Sequence, residues 1–300
     1  MKLSVIVPCY NEGESLNEFY DAVSKRLELE KITHEFIMVD DGSSDNTMDV
    51  LRNLSSKDKC VKVISFSRNF GKEAAMYAGL KACSGEYVSI MDADLQHTPD
   101  TLIMMYNKLI QNKDYDIVAS YKENREDESS IKRTLTSLFY RFNNMISNVK
   151  LLPGASDFRV FKSCVRDAII SLPEEERFLK GMFSWVGFNT IYVPYTPSKR
   201  LHGNSKWSLI KLIKYSLSGI ISFSTKPNKF IFILGVVTFL IGFLNFILFG
   251  SLANKTIILF LSFIMLSIGI LSLYISRIYK RVLNRPCYII KEKIGFNSKK

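Results

Sequence analysis

A parallel α/β sheet followed by two membrane-spanning helices is the architecture this sequence predicts, and three observations predict it. Short apolar runs alternate with amphipathic stretches over the first 120 residues. Three acidic turns each follow one of those runs. Two uncharged apolar stretches, of 20 and 21 residues, lie in a last third whose charge is almost purely basic.

The strand candidates come first. They are residues 3–7, 35–39, 61–65, 87–91 and 116–120, each short, apolar and bounded by turn residues. Amphipathic helices are expected between them at 14–28, 47–55, 72–83 and 99–111. Ser44-Asp45 precedes the second helix, and Thr98-Pro99-Asp100 sets a capping hydroxyl before a first-turn proline. Residues 122–128 read as a solvated loop, 125–150 as polar and then helical, and 151–199 as irregular α/β with a strand at 190–193. The five cysteines form no CxxC pair and read as reduced thiols. His34, His97 and His202 lack metal-ligand spacing, and Trp185 and Phe188 read as core or interface anchors. The chain opens on a strand pattern, so no secretory leader is expected.

Charge divides the chain. The whole carries +11, yet residues 200–300 hold 15 Lys/Arg and one acid, Glu292, whereas residues 1–199 hold 25 Lys/Arg and 28 Asp/Glu. Such a basic region suits nucleic acid or an anionic membrane surface. The uncharged runs at 230–249 and 256–276 decide for the membrane and against nucleic acid, because each spans a hydrocarbon core of about 20 helical residues. Lysines flank the first run, one lysine sits in the 250–255 linker, and eight basic residues follow the second. The positive-inside rule then places both termini in the cytoplasm. Residues 205–224 carry Trp207, Leu209, Ile210, Leu212 and Ile213 among Lys206, Lys211 and Lys214, as an interfacial helix would. The expected division is an α/β domain at 1–204, a juxtamembrane amphipathic region at 205–228, two spans within 229–276 and a basic tail at 277–300.

The acidic turns are Pro8-Cys9-Tyr10-Asn11-Glu12, Asp40-Asp41-Gly42-Ser43-Ser44-Asp45 and Asp92-Ala93-Asp94-Leu95-Gln96. Ligands of an open parallel sheet bind where its strands end, so all three turns can converge on one pocket. Two carboxylates at i and i+2 suit a hard divalent ion, Mg²⁺ or Mn²⁺, that shares itself with substrate phosphates; Gln96 adds a possible third oxygen.

The segments VPCYNE, VDDGSSDNT, SRNFGKEAAMYAGL, MDADLQH, SDFRVF, RFLKGMFSWVGF and SFSTKP together resemble the family 2 glycosyltransferases. More narrowly, they resemble the branch of bactoprenol glucosyltransferases and dolichyl-phosphate mannose synthases. The resemblance implies a GT-A, Rossmann-like catalytic domain. It implies that Pro8, Tyr10, Glu12, Asp40 and Asp41 hold the nucleoside, and that Asp92, Asp94 and Gln96 hold metal and diphosphate. Asp157 and Arg159 then line the sugar and acceptor end, with Asp94, Asp157 and Arg159 as the catalytic set. Arg133, Arg200, Ser205 and Lys206 then contact acceptor phosphate. The implied partners are a nucleotide-diphosphate sugar, polyprenyl phosphate and the lipid bilayer, with a flippase and a downstream glycosyltransferase in cell-envelope glycosylation. A homo-oligomer, tetrameric by resemblance, is also implied. UDP-glucose leads as donor, ahead of UDP-N-acetylglucosamine and GDP-mannose. A polysaccharide synthase would carry a QxxRW motif, which is absent, and intact Asp92, Asp94 and Asp157 disfavour a silent membrane scaffold. By the same resemblance, Thr98 stands where relatives usually have proline, and Lys280-Arg281 where a more acidic tail is common.

Overall fold

The computed structural model describes residues 2–122, 154–174, 177–196 and 253–296, with isolated positions at 144, 145, 152, 233, 235–238 and 240. One eight-stranded sheet organises the first unit. In chain order its elements are β1 (Leu3–Cys9), α1 (Leu16–Leu29), β2 (His34–Asp40), α2 (Thr47–Lys57), β3 (Val61–Phe66), α3 (Lys72–Ala82), β4 (Tyr87–Ile90), α4 (Pro99–Gln111) and β5 (Ile117–Lys122). There follow β6 (Ala155–Lys162), α5 (Ser163–Ser171), α6 (Leu179–Trp185), β7 (Thr190–Tyr195) and, far along the chain, β8 (Ile290–Ile294). The strand order is β7-β5-β6-β4-β1-β2-β3-β8.

β1, β2, β3 and β4 run parallel and are nearly continuous in apolar residues, because helices cover both of their faces. Pro8 fits within this central sheet because β1 pairs with β4 only as far as Ile6, so the absent proline N–H removes no β4 bond. On α1, Leu16, Phe19, Val23 and Leu27 recur at three- and four-residue steps and bury one face. At α4 the cap forms as its sequence predicts: the Thr98 hydroxyl accepts from the Thr101 N–H at 3.3 Å, with Pro99 in the first turn. α3 lies close on β1 through Gly79, where an added Cβ would sit 2.3 Å from Ile6 Cγ2.

Two features depart from simple alternation. β6 inserts antiparallel between β4 and β5, with Ile90 opposite Arg159. An antiparallel strand begins where its parallel neighbour ends, so the start of β6 joins the ligand-binding end of the sheet. The second departure is β8. Within the stretch expected as a basic tail, residues 290–294 return to pair antiparallel with β3. Tyr288 stacks on Phe66 at 4.8 Å, and Glu292 meets Arg52 at 2.7 Å. Lys291 and Lys293 face outward, which suits an edge strand.

The second unit contains α7 (Ala253–Leu283), a helix of 31 residues that includes the uncharged run 256–276. Ile257, Leu261, Ile264, Ile268, Leu271 and Ile275 recur along it at three- and four-residue steps, and all are exposed. Side chains at several other α7 positions lie outside the description. Counted on the described residues alone, neither α7 nor any other helix is long and apolar enough to cross a membrane. The first apolar run, 230–249, and the interfacial stretch, 205–228, lie almost wholly outside the described residues.

Candidate active site

The three acidic turns meet at the carboxyl ends of β1, β2 and β4, and the first two are laced together. Asn11, at φ 53°, donates its N–H to the Ser43 hydroxyl oxygen at 2.9 Å, and its side-chain Oδ1 accepts from the Ser44 N–H at 2.9 Å. The Glu12 N–H donates to Thr47 Oγ1 at 2.9 Å. Asp45 accepts from Thr47 N at 3.0 Å and Gly13 N at 3.3 Å, so the start of α2 is tied to the β1 turn. Gly42, at φ 67°, lets this turn lie against Arg68, where a Cβ would come within 2.4 Å of backbone. Tyr10 stands at the exposed rim of this turn.

The adjacent acids of the second turn are buried and occupied. Asp40 accepts from Ser43 N at 3.0 Å and from the Ser65 hydroxyl at 2.8 Å. Asp41 accepts from Phe70 N at 2.7 Å and from Gly71 N at 2.9 Å. Burial pushes the Asp41 carboxyl above its usual value, against the pull of those amides. Its visible work is to hold the turn that leads into α3.

The first residue of α3 is Lys72. Its ammonium lies 2.8 Å from the Asp92 carboxylate and 3.2 Å from Asp157 Oδ2. Lys180, in the first turn of α6, approaches Asp157 Oδ1 at 3.7 Å. Continuing the β4–β6 register from Ile90 and Arg159 brings Asp157 abreast of Asp92. Burial alone would raise the Asp157 carboxyl, but Lys180, Lys72 and Arg159 hold it well below the usual carboxylate range. Asp157 is therefore ionised at neutral pH and a weak proton acceptor. Burial likewise disfavours the charged Lys72, and Asp92 and Asp157 overcome it, raising its pKa.

Asp94 Oδ1 accepts from the Gln96 N–H at 3.1 Å, bending the turn so that Leu95 takes φ 53°. His97 closes the turn from beneath. Its Nε2 meets Ser156 Oγ at 3.0 Å, and its ring packs on Phe158 and Tyr195 at 4.6 and 4.8 Å. Burial holds the imidazole pKa down, so it is neutral at pH 7 and joins the Asp92–Asp94 turn to the start of β6. Arg159 is buried with its guanidinium 4.2 Å over the Phe183 ring and bonded to the Ser156 carbonyl at 3.1 Å. Arg159 thus braces α6 under the site. Glu73 completes the brace by accepting from the Leu179 N–H at 3.0 Å at the start of α6.

The structure therefore brings Tyr10, Glu12, Asp40, Asp41, Asp92, Asp94, Asp157 and Arg159 to one end of the sheet. Arg133, Arg200, Ser205 and Lys206 lie outside the described residues. Lys72 and Lys180 carry no role in the sequence reading, although both fall in segments that define the resemblance. Their signal is a basic residue at a helix start facing an acidic strand end, visible only once the strands are ordered. The donor set fits a divalent metal. Asp92, Asp94 and Gln96 are oxygen donors of the type a hard divalent ion takes, while among the described residues no group of three or more His, Cys, Asp or Glu that could hold a metal is found.

Comparison with known proteins bears on the same chemistry. Residues 4–168 match the family described as Glycosyl transferase family 2. The bactoprenol glucosyl transferase of Shigella phage SfII is 37% identical over 305 residues, covering 97% of this chain and 98% of that protein. The prophage bactoprenol glucosyl transferase homolog of Escherichia coli (strain K12) is 36% identical over 304 residues, covering 97% and 99%. Among solved structures, glucosyl-3-phosphoglycerate synthase from Mycobacterium tuberculosis, in complex with Mn²⁺, UDP-glucose and phosphoglyceric acid, aligns with a TM-score of 0.51 at 19% identity. The alignment covers 73% of this chain and 79% of that one, a likeness of fold.

Proposed function

The chain belongs to glycosyltransferase family 2, and from that premise we propose that it moves one sugar from a nucleoside-diphosphate sugar to a polyprenyl phosphate at the cytoplasmic face of a membrane. One observation carries the acceptor class. The likeness to bactoprenol glucosyl transferases runs through 97% of the chain and so takes in the basic last third. UDP-glucose is the leading donor on the same ground, with UDP-N-acetylglucosamine and GDP-mannose as alternatives.

The site's electrostatics agree with such an acceptor. A phosphate is already anionic at neutral pH, so its oxygen attacks the anomeric carbon without a strong base. Asp157, held ionised by Lys72 and Lys180, fits that requirement because it has no proton to take. Asp92, Asp94 and Gln96 would hold Mg²⁺ or Mn²⁺, whose charge would stabilise the departing nucleoside diphosphate. Tyr10, at the exposed rim, would face the nucleobase, while Asp40 and Asp41 keep the turns around it in place. Arg133, Arg200, Ser205 and Lys206 are assigned to phosphate from the sequence. Direct displacement inverts the anomeric centre and gives a β-linked lipid from an α-linked donor.

The membrane reading rests on the two uncharged runs, their basic flanks and the exposed apolar residues of α7. It predicts that a reporter fused after Lys300 reads as cytoplasmic and one at Asn254 as external. The activity is tested by incubating the purified full-length protein with undecaprenyl phosphate, Mg²⁺ or Mn²⁺, and each of the three donors in turn. A glycosylated lipid with release of nucleoside diphosphate is expected. Failure to glycosylate the lipid with every donor would overturn the reading.

A further inference from the structure

Lys72 breaks a local rule. It is the first residue of an 11-residue helix, where the helix dipole disfavours a cation. The backbone on either side is nevertheless tied down. Asp41 holds the Phe70 and Gly71 N–H groups before it, and Glu73 after it binds the start of α6. The ammonium is thereby delivered to a point 2.8 Å from Asp92 and 3.2 Å from Asp157. A residue that offends a local preference and is fixed from both sides marks a position set by function.

We propose that Lys72 is a built-in counter-ion of the metal site, which keeps Mg²⁺ or Mn²⁺ weakly bound until a nucleoside diphosphate arrives with it. This inference rests on the reading of Asp92 and Asp94 as metal ligands. Asp92 is the carboxylate both cations need. A divalent ion reaching it alone meets the Lys72 charge at close range, in a partly buried setting where screening is weak. A diphosphate offsets that charge, and Lys72 keeps Asp157 as a partner when its hold on Asp92 slackens. Metal and donor then favour each other's binding, and by linkage the enhancement is equal in both directions. Lys72 acts here as a positioning residue that couples the two. Lys180 differs: among its ion pairs in the described residues is one to Asp157, at 3.7 Å, and none to Asp92.

The test is a calorimetric titration of the purified full-length protein with MnCl₂, with and without UDP, for wild type, Lys72→Met and Lys180→Met. Lys72→Met should bind Mn²⁺ alone about tenfold more tightly than wild type, and the enhancement by UDP should shrink by a similar factor. Lys180→Met should shift the affinity for Mn²⁺ alone clearly less. Lys72→Gln, which keeps a polar group beside Asp92, serves if methionine is not tolerated; circular dichroism checks that each variant folds. Unchanged or weaker binding of Mn²⁺ alone by Lys72→Met and Lys72→Gln would make Lys72 a mere support of the carboxylates and overturn the proposal. Equal tightening by Lys180→Met would reduce the effect to net charge and overturn it too. If wild type takes up Mn²⁺ neither alone nor with UDP, the metal reading beneath the proposal falls instead.

Discussion

The two ends of the central sheet each set a carboxylate against lysine, to opposite effect. At the end where β2 begins, Glu35 is fully buried. Its Oε1 accepts from the Ser4 hydroxyl at 2.6 Å, the Ser84 N–H at 2.7 Å and the Ser84 hydroxyl at 2.9 Å; its Oε2 accepts from Lys62 at 2.7 Å. At the opposite end, Asp92, Asp157, Lys72 and Lys180 keep 32%, 23%, 31% and 23% of their side-chain surface. Three of the four donors to the first cluster are short and fixed, those of Ser4 and Ser84, and one lysine completes it. The second is closed by the ends of two flexible lysines, which can give way to a ligand. A buried charge satisfied by the fold is structural, and one satisfied by movable counter-ions is poised for exchange.

Exchanging the two roles experimentally gives the largest effects. Asp94→Asn should lower sugar transfer about a hundredfold or more, the scale of losing an electrostatic catalytic element, while thermal unfolding stays near wild type. Glu35→Ala should do the reverse. Leaving Lys62 without its buried partner is expected to cost about 3–5 kcal/mol in denaturant unfolding, with turnover per folded molecule little changed. If Glu35→Ala instead abolished transfer in folded protein, the division between the ends would be wrong.

Acid sharpens the same contrast. Burial alone would raise the Glu35 carboxyl, but Lys62, Ser4 and Ser84 lower it below its ordinary value. A depressed folded pKa contributes stability that is present above the unfolded value and lost as pH falls through the folded one. Glu35→Gln should therefore flatten the acid limb of the stability–pH curve below about pH 4.5. A limb as steep as wild type would assign acid sensitivity to other carboxylates.

Smaller effects probe what positions the active end. Asp41→Ala strips the Phe70 and Gly71 amides of their acceptor and should destabilise by about 1–3 kcal/mol. It should also weaken donor binding, measured as UDP affinity, because the turn carrying Lys72 loosens. Thr98→Ala removes the α4 cap and should cost about 1 kcal/mol, with UDP affinity unchanged. Loss of UDP affinity from Thr98→Ala as large as from Asp41→Ala would show that general loosening, rather than the Lys72 turn, governs the site.

Much of this was legible in the chain. The strands expected at 3–7, 35–39, 61–65 and 87–91 are β1 to β4 with ends displaced by at most two residues, and the helix expected at 99–111 is α4 with the predicted cap. β6, α5 and α6 were blurred into an irregular stretch. SDFRVF alternates only weakly, and the strand is held by neighbours on both sides rather than by its own pattern. Ile290-Lys291-Glu292-Lys293-Ile294 also alternates, but five residues in a basic stretch become a strand only through their pairing with β3.

By itself, then, the sequence determined the local elements and the acidic turns that close them, because periodicity, capping and turn chemistry act over a few residues. The tertiary structure alone decided which charges meet. Lys72 and Asp157 stand 85 residues apart in the chain, and they touch because β6 chose an antiparallel place beside β4. Strand order is a choice among whole-sheet pairings, settled by the burial and hydrogen bonding of every strand at once. No local pattern contains that choice, and so none could show that a lysine occupies the approach to the acidic turn.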